Sequence, residues 1–158
     1  MTPSRKQEYT RRITQANKTQ LITILYDMIL DYLAEALTGQ GQTDKDAFDS
    51  LIGAADACID ELITSLDLNY ELARNLYGLY LFEKKELLHS RIRGERSGLE
   101  HAVSVFTALR DAYRVLEKED TTAPVMVNVE TVYAGMTYGR GSLTENVSSD
   151  YSNRGFKA

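Results

Sequence analysis

The chain has 158 residues, with 26% charged and 43% hydrophobic side chains and a formal net charge of −5. That length describes one domain able to bury a real core, and the acidic balance argues against a general nucleic-acid binder, which needs a basic face. The single cysteine, Cys58, excludes an intramolecular disulfide and suits a reducing compartment, and no run of about 18 uncharged apolar residues offers a membrane span.

No secretory signal pattern opens the chain, so a cytoplasmic location is expected. The only prolines, Pro3 and Pro124, lie near the two ends. The long stretch between them carries no helix-breaking ring, which favours an all-α domain with a tail at each end.

Residues 1–16 are polar and basic, with Arg5, Lys6, Arg11 and Arg12 against Glu8. They read either as a frayed terminus or as a short arm docked through Tyr9 and Ile13, its only large apolar residues. Asn17-Lys18-Thr19-Gln20 has capping-box spacing, so a first long helix starts there and stops at Thr38-Gly39. It carries two apolar seams, Leu21, Leu25, Met28, Tyr32 and Ile22, Tyr26, Ile29, Leu33, Ala36, with a narrow polar strip of Gln20, Thr23, Asp27, Asp31 and Glu35. A helix that packs one side on a core needs an apolar stripe of only about 100°. Either this helix is central and covered on most sides, or one seam is kept for something that is not part of the core.

A second helix begins near Thr43 or Asp44 and runs apolar at three- and four-residue steps to Leu66. Cys58 falls on that face and reads as a small core residue. Asn69 is placed to cap a third helix carrying Leu72, Ala73, Leu76, Leu79, Tyr80, Leu87, Leu88 and Ile92. Glu83-Lys84-Lys85-Glu86 interrupts its apolar stripe and reads as a solvent-facing turn. Gly94 is the expected stop, and Ser97-Gly98-Leu99-Glu100 is a second capping-box pattern opening a fourth helix that fades near Asp120. Residues 121–158 differ in kind. Val125, Val127 and Val129 alternate, a Gly- and Tyr-rich stretch follows, and the end is polar. The expectation is an all-α, antiparallel up-and-down four-helix bundle at 17–120, an N-terminal arm at 1–16, and an extension at 121–158 that is partly disordered or folded back on the bundle.

No catalytic constellation emerges. Glu86-Leu-Leu-His89 is half of a di-iron carboxylate pattern, but the second Glu-x-x-His pair is missing, because Gly98 precedes His101 at that offset. Cys58 has no histidine near it in sequence, and Gly139-Arg140-Gly141 lacks the phosphate-loop pattern. No enzyme activity, metal or cofactor is expected. Tyr26, Tyr32, Tyr70, Tyr77 and Tyr80 suit either the rim of a core or a binding groove, since tyrosine favours places where one end is dry and the other wet.

The run QLITILYDMILDYLAEA is similar to the first bundle helix of the flagellar secretion chaperone FliS family. Ser65-Leu66-Asp67 followed by Asn75-Leu76-Tyr77-Gly78-Leu79-Tyr80, and Leu109-Arg110-Asp111-Ala112-Tyr113, resemble two further signatures of that family in the same order. The chain departs from the family pattern at Lys18, at Met28 and at Glu83-Lys84-Lys85-Glu86. The resemblance implies a non-catalytic cytoplasmic bundle that holds the disordered C-terminal segment of flagellin, prevents premature polymerisation and presents the subunit to the flagellar export gate, with an N-terminal arm that can cover part of the client groove. On this reading the groove residues are Ile22, Tyr26, Ile29, Leu33, Leu76, Tyr77 and Tyr80, the arm anchors are Tyr9 and Ile13, and Ile29→Asp should weaken client binding while the bundle stays helical. A helical adaptor acting through its C-terminal tail is the alternative. Nucleic acid and membrane insertion are not expected.

Overall fold

The computed structural model describes residues 1–39, 41 and 43–126; the expected extended residues Val127 and Val129 and everything after them lie outside the described residues. Five helices form: α1 (Pro3–Thr14), α2 (Lys18–Thr38), α3 (Lys45–Thr64), α4 (Glu71–Arg93) and α5 (Ser97–Glu117). No strand occurs among the described residues.

The helix boundaries follow local chemistry. Thr2 caps α1 by accepting the Arg5 N–H, with Pro3 in the first turn where its missing N–H does no harm. At α2 the capping box is complete: the Asn17 side chain accepts the Gln20 N–H at 2.9 Å, and the Gln20 side chain accepts the Asn17 N–H at 2.9 Å. The Asp44 carboxylate caps α3 through the amides of Asp46 and Ala47. Two expected caps are not made. Asp67 takes the Asn69 amide into a turn, so α4 starts after Tyr70 with no side-chain cap. Arg96 already has helical φ and ψ, so Ser97 is the first residue of α5 rather than its cap. Gly94 ends α4 at φ 69°, a left-handed conformation that glycine adopts without strain.

α2 packs on α3 and α5, and α4 packs on α3 and α5, closing a ring of four helices, while α1 lies against α2. With only short connections between α2, α3, α4 and α5, this is the up-and-down four-helix arrangement plus an N-terminal helix. Ile29, Leu33, Ile59, Leu62, Leu87, Leu99 and Phe106 fill the interior. An aromatic group crosses it: Tyr26 meets Phe106 at 6.1 Å and Tyr113 edge-on at 5.4 Å, and Tyr80 stacks on Phe106 at 6.4 Å. The Tyr26 and Tyr80 hydroxyls hydrogen-bond to each other across the bundle, which satisfies two polar groups in a dry place. Burial and this contact push Tyr26 well above the usual tyrosine range, and burial pushes Tyr80 up to about 12.

Candidate functional site

The acidic strip of α2 is a seat for α1. Asp31 accepts from Arg5 Nε at 2.7 Å and from the Tyr9 hydroxyl at 2.6 Å. One turn earlier Asp27 pairs with Arg12 at 2.7 Å and with Arg114 of α5 at 3.1 Å, and one turn later Glu35 pairs with the Met1 ammonium. Burial pushes the Asp31 carboxyl up, but hydrogen bonds from Arg5 and Tyr9 outweigh this and hold it below the usual carboxylate range. The Tyr9 ring is buried with Ala16 and Ile24, and Ile13, Leu21 and Met28 pack beside them. The guanidiniums of Arg5 and Arg12 lie 5.2 and 5.4 Å from the Tyr9 ring centre, within cation–π range. Residues Pro3–Thr14 thus form a helix docked on α2.

The residues expected to line a groove are mostly elsewhere. Tyr26, Ile29 and Leu33 are 0% exposed, and Leu76 and Tyr80 are buried with them in the bundle interior. The seam Tyr26, Ile29, Leu33 turns toward α3 and α5 and is closed in this structure, with Ile22 half-buried at its edge. Ile29→Asp would place a charge in this closed interior. Of the seven residues, Tyr77 is exposed and Ile22 half-buried, and the structure does not bring these two together with the others into one open surface.

Two apolar surfaces are open instead. The first runs along α4. Tyr70, just before the helix, and Tyr77, Leu81, Leu88 and Ile92 on it are 37–71% exposed. The spacing of four, seven and four keeps Tyr77, Leu81, Leu88 and Ile92 on one side of the helix, with Tyr70 preceding it. Leu88 and Ile92, expected in the core, therefore face out, as does Leu72. The opposite side supplies the core through Leu76, Tyr80, Glu83, Leu87 and Ser90, at steps of four and three. The signal that finds this is the register itself, in which positions 76, 80, 83, 87 and 90 form one seam and positions 77, 81, 88 and 92 another. The second surface is a groove of about 540 Å³ beside α2, lined by Ile13 of the arm, by Leu21, Ile22, Ile24 and Leu25, and by Lys18, Glu61 and Ser65.

The same register corrects the charged turn. Glu83 is 0% exposed, and neither carboxylate oxygen has a well-formed hydrogen bond, although His101 Nδ1 of α5 stands 3.3 Å away. Burial raises its pKa, opposed by His101. Lys84 lies at the α3 side and pairs with Asp60 at 2.6 Å and Asp56 at 3.0 Å. His89 and Glu86 approach only to 3.8 Å, and no cluster of three or more possible metal ligands occurs among the described residues. Cys58 is buried, and burial pushes its thiol up to about 11, the opposite of what a nucleophile needs.

No helix among the described residues is long and apolar enough to cross a membrane. The described residues thus form a four-helix bundle with a docked N-terminal helix and apolar surface left open on α4 and beside α2. Residues 1–120 match the family model described as flagellar protein FliS. The flagellar secretion chaperone FliS of Escherichia coli (strain K12) is 29% identical over 118 residues, covering 73% of this chain and 84% of that protein. The chain belongs to the FliS family. This is a family of secretion chaperones, and the protein is not an enzyme.

Proposed function

We propose that this protein is a cytoplasmic export chaperone whose client is the disordered C-terminal segment of flagellin, held folded onto the bundle so that it cannot polymerise before it reaches the flagellar export gate. The observation that carries this reading is the second apolar face of α4. A helix that already gives one seam to the core has no folding reason to expose Tyr77, Leu81, Leu88 and Ile92 in line. A client segment that folds as an amphipathic helix can lay its own apolar face along such a stripe. Ordering that segment costs about 2–5 kcal/mol, so an extended contact of several turns is required, and α4 offers one along most of its length.

In this proposal the working unit is the bundle at 17–120 with the arm at 1–16. The arm anchors are Tyr9 and Ile13, supported by the buried Tyr9 ring and by the ion pairs to Asp27 and Asp31. Of the residues expected to touch the client, Tyr77 belongs to the α4 surface. The test is titration calorimetry with a peptide of the flagellin C-terminal segment. The double variant Leu81→Asp, Leu88→Asp should bind at least about 100-fold more weakly while its helical content is unchanged; equal affinity in the variant and the natural chain would remove α4 as the client surface.

A further inference from the structure

We infer that the groove beside α2 is the docking site of this chain's own C-terminal extension, through residues 127–138. Three observations on the bundle lead there. The chain that leaves α5 does not run off into solvent. It is fastened across the start of α2: the Asn17 amide donates to the carbonyls of Asp120 and Thr122, and the Thr19 hydroxyl donates to the Asp120 carboxylate. Hydrogen bonds from Thr122 and from Thr19 hold the Asp120 carboxyl down at a pKa of about 2. Then the Val125 N–H donates to the Ala16 carbonyl at 3.0 Å. Ala16 sits between Ile13 and Lys18, both of which line the groove. The extension is therefore tied down at position 125 to the linker between two groove-lining residues, with Val125 and Met126 exposed.

The next residues match what the groove presents. Val125, Val127 and Val129 alternate, and in an extended chain alternate residues share one side. Val132, Tyr133, Met136 and Tyr138 continue the apolar supply. The groove floor, Leu21, Ile22 and Leu25, is half-buried and apolar. Reach is not limiting: Lys18 to Leu25 along α2 is about 10 Å at 1.5 Å per helical residue, which about four extended residues cover at 3.3 Å each. Ala16 itself lines the neighbouring cleft with Arg12, Gln15, Gln20, Ile24 and Glu117, but that cleft is mostly polar and offers valines less apolar surface than the groove. The extension in the groove would bury apolar surface that α1, α2 and α3 leave open. This inference is independent of what α4 binds.

The test uses the full chain, purified without flagellin, carrying the photo-crosslinking residue benzoylphenylalanine at position 22 or, for comparison, at position 88 on α4. Retained helical content and melting temperature establish that each variant is folded. Adducts mapped by mass spectrometry should join position 22 to residues 127–138 of the same chain, with no such adduct from position 88. Adding Val127→Asp and Val129→Asp should cut the position-22 yield at least about fivefold. The inference is overturned by no adduct to 127–138 from position 22, by adducts that join two copies of the chain, by an equal yield from position 88, or by a yield that survives the two aspartates. Because flagellin is absent, none of these outcomes bears on the client surface of α4.

Discussion

Glu83 shows how much one position in a seam can decide. The four-and-three register of α4 assigns it to the interior, where it is fully enclosed with no well-formed hydrogen bond for its carboxylate. His101 faces it from α5 and Glu86 from its own helix. A buried carboxyl in such a place prefers its neutral form, so its folded pKa lies above the ordinary 4.5. The folded state then holds the proton more tightly than the unfolded state, and stability falls as pH rises from 4.5 through the folded value. Glu83→Met, of similar volume and without the charge, should raise stability by about 1–3 kcal/mol at pH 7. Urea denaturation at pH 7 and again below pH 4.5 checks this, and the gain should shrink at the lower pH, where the natural carboxyl is neutral in both states.

At the scale of elements, α1 is a module that docks through charge and one ring. Its basic residues meet the acids of α2 at one-turn intervals, and Tyr9 supplies the buried anchor. Tyr9→Ala should free the arm without unfolding the bundle, since the apolar cluster around Tyr9 is separate from the main core. Amide exchange in residues 3–14 should quicken at least about tenfold while α3 and α5 keep their protection. The Asp31 contacts add a pH dependence of the opposite sign to that of Glu83. Because the folded pKa of Asp31 lies below the ordinary 3.8, its contribution to arm docking is complete above that value and is lost as pH falls through the folded value. Exchange in the arm should therefore accelerate at low pH in the natural chain and much less in Asp31→Asn. A second element-level feature is the close approach of α4 and α5. A Cβ on Gly98 would collide with the Ser90 hydroxyl and stand 3.2 Å from the Glu86 carbonyl oxygen. Gly98→Ala should cost about 1–3 kcal/mol by overpacking, read as a lower melting temperature.

For the whole molecule, the decisive contrast is between two aspartate substitutions that look alike in sequence. Ile29→Asp places a charge in the closed interior and should cost more than about 4 kcal/mol, with loss of the cooperative melt. Leu81→Asp with Leu88→Asp changes only the exposed face of α4 and should melt as the natural chain does. On the proposed function, a flagellin C-terminal peptide at 100 times its Kd should stabilise the natural bundle by about 2.7 kcal/mol, because a ligand that binds only the folded state shifts its equilibrium by mass action. The double aspartate variant should show no such shift in a thermal melt with and without peptide.

The local grammar of the chain was legible in the residues themselves. Asn17 with Gln20, Asp44 ahead of α3 and Gly94 after α4 mark helix boundaries because capping depends on side chains within a turn of the boundary. The three-and-four spacing announces helices, and the absence of proline between the ends announces four long ones. What this spacing cannot choose is which apolar seam of a two-seamed helix turns inward, since both satisfy the same period. That choice belongs to the neighbours: α2, packed between α3 and α5, turns in the seam of Tyr26, Ile29 and Leu33, while α4 turns out Tyr77, Leu81, Leu88 and Ile92. The seat of the arm was hidden for the same reason, because acids on α2 and bases before it look like two solvated surfaces until the chain folds back and sets Arg5 and Tyr9 on Asp31. Periodicity and the boundaries at Asn17, Asp44 and Gly94 are local and were determined by the sequence alone, although the caps read at Asn69 and Ser97 were not made; the facing of each helix is a contest between distant surfaces for burial, and only the tertiary structure decided it.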